Sequence, residues 1–188
     1  MRLTWWRLPL AVLASTEVLS ALDIIPLQPV FTDVGLLLVC LAVWLAFELT
    51  SRYLTAWWMV LPGVIALYLD AGGDYWHWYA TVPYYDAALH AFGSGAVACW
   101  LWGVLRTHGW LVLTSVISLG TVYEIEEYLE DVITGSHRLG DGPDTANDLL
   151  MNLLGVSLAI AVIHRRAIID HVLHRINYGG PARHSRTQ

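Results

Sequence analysis

The feature that most constrains this chain is a recurrence. Apolar runs of roughly 17–25 residues, each enough to cross about 30 Å of hydrocarbon as a helix, follow one another with short connectors between them. A backbone in lipid finds no water to bond, so runs of this kind fold as helices packed side by side. They fall at about residues 5–25, 31–50, 54–71, 86–106, 110–130 and 145–165. The expected fold is therefore all-α, a polytopic membrane helix bundle of about six transmembrane helices. The connectors are Ile25-Pro26-Leu27-Gln28-Pro29, Thr50-Ser51-Arg52, Asp70 to Tyr85, Arg106-Thr107-His108-Gly109 and Asp131 to Asp144. Pro62-Gly63 inside the third run predicts a kink there.

Composition agrees. Only 14% of the 188 residues are charged and the mean hydropathy is +0.52, where a soluble domain carries roughly 25% charge. The length allows one domain, read as a transmembrane part over 1–166 and a cytoplasmic tail over 167–188. In the tail, Ile168, Ile169, Val172, Leu173 and Ile176 alternate with Arg and His. That spacing predicts a short amphipathic helix on the inner leaflet, with order ending at Gly179-Gly180-Pro181. The start, Met1-Arg2-Leu3-Thr4-Trp5-Trp6-Arg7, resembles a signal peptide, yet no Ala-x-Ala site follows it. The first run is therefore expected to be a retained helix. Cys40 and Cys99 both sit in apolar runs and read as small buried hydrophobes.

Charge sets the orientation. With the N-terminus cytoplasmic, every basic residue but Arg138 falls inside, the bias that fixes topology in cytoplasmic membranes. The acidic residues mostly fall on the opposite side, except Glu48 and Asp170 inside and Glu17 in mid-span. The expected location is the inner (plasma) membrane, multi-pass, with both termini cytoplasmic. The expected partners are membrane lipids and other membrane subunits; nucleic acid has no support.

The chemistry gathers in the last three runs. Asp86 and His90 are four apart and share a helix face, as do Glu124 and Glu127 at a spacing of three, and Asp144, Asp148 and Asn152 at spacings of four. At a rise of about 1.5 Å per residue, His90 lies about 6 Å inward of Asp86, Glu124 about 9 Å inward of Glu130, and Asp148 about 6 Å inward of Asp144. Matched depth predicts one outward-facing pocket. Carboxylates at that level are costly against lipid and should face one another or water. Arg138 alone cannot neutralise them, so a divalent cation is expected among Asp86, His90, Glu124, Glu127, Asp144 and Asp148. Mixed carboxylate and imidazole ligands suit Zn, Mn or Fe, and an all-oxygen subset suits Mg or Ca. In a metal-dependent enzyme acting on a lipid or lipid-linked group, Glu124 or Glu127 would be the general base and Arg138 the clamp on an anionic headgroup. A cation carrier or channel, and an accessory subunit of a membrane complex, are the alternatives. Plainer roles also stand: Asp141 and Asp144 beside Pro143 suit a helix start, Glu126, Glu130 and Asp131 read as solvated at a helix end, and His90 alone could be a packing residue.

The motifs carry a resemblance. Tyr85-Asp86-x3-His90-x2-Gly93, Tyr123-Glu124-x2-Glu127 and Asp141-x2-Asp144-Thr145-x2-Asp148-x3-Asn152-x2-Gly155 resemble the YjdF-like bacterial inner-membrane proteins. The likeness spans about 45–160, with Asp74 where that family often carries His. More distantly, His90, Glu124, Arg138, Asp148, Asn152 and Gly155 are similar to the polar series of VanZ-like proteins, which often carry Gln where Glu127 stands. The resemblance implies the helical fold and the importance of these polar residues, and it implies no particular reaction.

Overall fold

The computed structural model describes residues 4–22, 24–25, 33–106, 108–135 and 142–178. Every regular element among them is helical: α1 Arg7–Ala21, α2 Asp33–Thr50, α3 Leu61–Tyr75, α4 Trp78–Thr81, α5 Tyr85–Leu105, α6 Gly109–Thr134 and α7 Gly142–Tyr178, with a 3-10 turn at Trp57–Met59 before α3. The helices pack around two apolar cores. One joins Trp6, just before α1, and Leu10 and Leu13 of α1 to Cys40 and Phe47 of α2, Met59, and Val64 and Leu67 of α3. The other joins Ala98 and Leu101 of α5 to Val112 and Val116 of α6 and Val156 of α7. Trp100 packs against both and donates its indole N–H to Thr50 Oγ1 at 3.0 Å, linking the two halves.

The surface inverts the soluble pattern. Leu38, Leu41, Leu45 and Leu49 form an exposed stripe along α2, and Leu150, Leu154, Leu158 and Val162 form another along α7. Glu17, Ser20, Asp74, Ser94, Glu124, Glu127, Asp148 and Asn152 are buried. A helix in water turns its apolar stripe to the core. One that turns it outward, with carboxylates within, suits a hydrocarbon solvent.

Three sequence expectations meet a different structure. Pro62 does not bend a helix. Residues 54–56 are not helical, so Pro62 stands in the first turn of α3, where its missing N–H costs nothing. The connector from Asp70 to Tyr85 is largely ordered: α3 runs on to Tyr75, and α4 follows between His77 and Tyr84, both left-handed at φ 55° and 62°. These two turns fold the segment back over the start of α5. Finally, α7 continues unbroken to Tyr178, so the apolar and basic residues after Arg165 extend a long helix rather than forming a separate one; residues 179–188 lie outside the described ones.

By length and composition, Tyr85–Leu105 and Pro143–Ile169 are the described helices long and apolar enough to cross a membrane, and Gly35–Thr50 is apolar but shorter. The expected six-span count is not reached by this measure, for two physical reasons. At 15 residues each, α1 and α3 are about 22 Å long. In α6 the length suffices, but Glu124, Glu126, Glu127, Glu130 and Asp131 load one end with charge.

Candidate functional site

The tightest helix pairing places the site. α5 packs most extensively against α7, and the small residues at the seam explain how. Gly155 on α7 lies against the Ala91 carbonyl and Ser94 of α5, and a Cβ on Gly95 would reach the Gly155 carbonyl at only 3.4 Å. This close approach brings His90, one residue before Ala91, beside Asp148, two turns before Gly155. α6 packs on both helices and contributes Glu124.

His90 is the hub. Its Nε2 stands 3.6 Å from Asp86 Oδ1 and 3.8 Å from Asp148 Oδ2, and its Nδ1 stands 4.0 Å from Glu124 Oε1. Tyr123 meets the imidazole edge-on at 6.0 Å between ring centres. One ligand atom each from Asp86, His90 and Asp148 lie within 4.8 Å of one another, a set able to hold a metal ion. Two ligands about 2.1 Å from a tetrahedral ion stand about 3.4 Å apart, so the Nε2 to carboxylate distances suit an ion between the groups better than direct hydrogen bonds.

Burial sharpens the picture. Glu124 is 5% exposed and Asp148 3%. Neither oxygen of Glu124, nor Oδ1 of Asp148, has a hydrogen-bond donor. Native proteins rarely leave buried polar atoms in that state.

Of the residues singled out in the sequence, Asp86, His90, Glu124 and Asp148 converge. Glu127 is buried on α6, one turn from Glu124, and is not among the three residues of that candidate set. Asp144 is exposed and lies with Asp86 on the wall of a cleft of about 290 Å³. Arg138 and Asp141 lie outside the described residues. Glu126 and Asp131 are half-buried rather than solvated. Asn152 is buried, and the close approach of its side chain to Gly120 ties α7 to α6.

The cleft adds residues that the sequence reading passed over. Tyr79 and Asn147 line it beside Tyr84, Tyr85, Asp86 and Asp144. Asn147 is three residues after Asp144, a spacing that could have marked it. Tyr79 carries no such signal, because only the fold-back at His77 and Tyr84 brings it there. Its hydroxyl donates to Asp70 Oδ1 at 2.5 Å, and the Tyr85 hydroxyl donates to the Leu69 carbonyl at 2.6 Å. These bonds pin α4 and the start of α5 to α3, so the cleft wall is braced from behind.

Residues 6–168 match the model of a family described as "Predicted membrane protein (DUF2238)". No curated protein and no solved structure matches the chain.

Proposed function

From the premise that the chain belongs to this family of membrane proteins, we propose that it is a cation-binding protein of the inner membrane whose Asp86, His90 and Asp148 take a divalent ion from the outer side. The observation that carries this reading is the pair of buried carboxylates, Glu124 and Asp148, with three oxygens lacking donors around one imidazole. Burying an ion without compensation costs on the order of several kcal/mol. A divalent cation offsets that cost for two carboxylates at once. One imidazole with two carboxylates favours Zn, Mn or Fe over Mg or Ca.

The six-span arrangement with both termini inside belongs to the same proposal. It is supported by the arginine bias and by the exposed apolar stripes of α2 and α7. In that frame the cleft opens outward, and its acidic wall of Asp86 and Asp144 attracts cations and repels anions. The order of the motifs around Asp86, Glu124 and Asp148 supports a place near the YjdF-like proteins. The cleft also favours a second reading, in which the ion polarises a lipid headgroup lodged beside Asp86, with Glu127 as base and Arg138 as clamp.

The test is elemental analysis of the detergent-purified protein, before and after chelation, with thermal unfolding alongside. About one equivalent of metal, and a melting temperature that falls on chelation, are expected. Substoichiometric metal together with a melting temperature indifferent to chelator would overturn the reading in favour of protonated carboxylates bonded to His90.

A further inference from the structure

The two nitrogens of His90 face different partners. Nε2 looks toward Asp86 and Asp148, at 3.6 and 3.8 Å, while Nδ1 looks toward Glu124 at 4.0 Å. An imidazole binds a metal through one nitrogen, and the other usually donates its N–H to a carboxylate or carbonyl that fixes the tautomer and ring orientation. We propose that Glu124 is the positioning residue for His90 rather than a metal ligand: it holds the proton on Nδ1, so that Nε2 presents its lone pair to an ion seated between Asp86 and Asp148. This inference rests on the cation reading and assigns the fourth group of the cluster a different role from the other three.

Three observations carry it. The candidate ligand set closes on Asp86, His90 and Asp148 without Glu124. Glu124 reaches the ring on its Nδ1 side, away from the nitrogen the two aspartates share. Both Glu124 oxygens are buried and free of hydrogen bonds, so the carboxylate has full capacity to accept one. Drawing Oε1 in by about 1 Å brings it to ordinary hydrogen-bond distance from Nδ1. Glu124 also comes from α6, whereas the ligands come from α5 and α7. The arrangement thus ties the packing of α6 to the orientation of a ligand on α5.

The probe is Co2+ alone, titrated into purified wild type, Glu124→Gln, Glu124→Ala and Asp148→Asn, with visible absorption reporting the coordination shell. Nitrogen NMR of histidine-labelled protein reports the tautomer of His90 without metal. Glu124→Gln keeps an acceptor of the same shape and should retain the wild-type spectrum and most of the affinity. Glu124→Ala should keep the spectrum but bind roughly 10- to 100-fold more weakly, with His90 no longer held as the Nδ1–H tautomer. Asp148→Asn should change the spectrum itself. If Glu124→Gln alters the spectrum as Asp148→Asn does, Glu124 is a ligand and the assignment fails while the cation reading stands. If Glu124→Ala binds as wild type does with its tautomer unchanged, the positioning role fails alone. If wild type binds no Co2+, both readings fall. Helical circular dichroism on each variant separates these results from misfolding, and the Gln variant, isosteric with Glu, keeps the comparison decisive.

Discussion

Gly155 meets Ala91 so closely that a methyl group added to Gly155 would overlap the Ala91 carbonyl oxygen and crowd Ser94 Oγ. The obstacle is backbone and cannot rotate aside. Gly155→Ala should therefore push α5 and α7 apart, destabilising the protein by about 1–3 kcal/mol as overpacking does, and should weaken cation binding by separating His90 from Asp148. Gly93 is the control. It lies three residues beyond His90 in the interior of α5, and a Cβ there meets nothing within 4 Å, so Gly93→Ala should not destabilise and should gain up to about 1 kcal/mol from helix propensity. Thermal unfolding of both in one detergent decides the matter, and equal melting temperatures would deny the close seam its role.

Asp148 and Asp144 stand one turn apart on α7, one buried and one exposed, and their neutralisation should have opposite signatures. Asp148→Asn removes a buried charge from a group of carboxylates. In chelator the variant should melt at or above wild type, because the repulsion is relieved. In excess divalent cation it should melt below wild type, because the stabilisation by bound ligand is lost. Asp144→Asn should leave the cation-dependent shift nearly intact, changing affinity by less than about fivefold, the scale of an exposed ionic interaction of up to ~1 kcal/mol. A loss of the shift in Asp144→Asn equal to that in Asp148→Asn would move the ion out of the cluster and into the cleft mouth.

Much of this site is legible in the sequence because helical spacing is rigid. Asp86 and His90 must share a face, and depth can be counted from the charged ends, so the matched level of His90, Glu124 and Asp148 follows from residue numbers. What spacing leaves open is the rotation of each helix about its own axis. That rotation decides which ring nitrogen of His90 meets which carboxylate, and it turns Asp144 to the cleft while Asp148 goes inward. Pro62 was open for a related reason: a proline kinks a helix only if helix precedes it, and here the helix begins beside it. The fold-back of α4 depends on left-handed turns at His77 and Tyr84. Neither is the Gly or Asn that usually announces such a turn.

Orientation has its own test. Reporter fusions after Arg52, Tyr79 and Arg106 should read cytoplasmic, external and cytoplasmic, as the arginine bias requires. The fusion after Tyr79 matters most, since Tyr79 lines the cleft whose wall shares Asp86 with the cluster. A cytoplasmic reading there would place the cleft on the inner side and remove the outward route for the cation.

The last prediction concerns the brace behind that cleft. The Tyr79 hydroxyl donates to Asp70 Oδ1 at 2.5 Å. Burial first, and then the Asp70 carboxylate, push the phenol far above its ordinary 10.0. The folded protein thus holds this proton more tightly than the unfolded chain does. The stability that Tyr79 contributes is complete below the unfolded value and declines as pH rises past about 10, by up to about 1.4 kcal/mol per pH unit. Tyr79→Phe cannot titrate and also lacks the donor, so two effects should separate by pH. Near neutrality the variant should be less stable than wild type by about 1.5–3 kcal/mol, the usual scale for a hydrogen bond to a charged group. Above about pH 10 the gap should narrow, because wild type is losing what the variant never had. Thermal unfolding of both proteins from about pH 8 to 11 measures this directly. A gap that stays constant across the range would mean that Tyr79 ionises in the folded protein as readily as in the unfolded chain, and that Asp70 does not hold its proton.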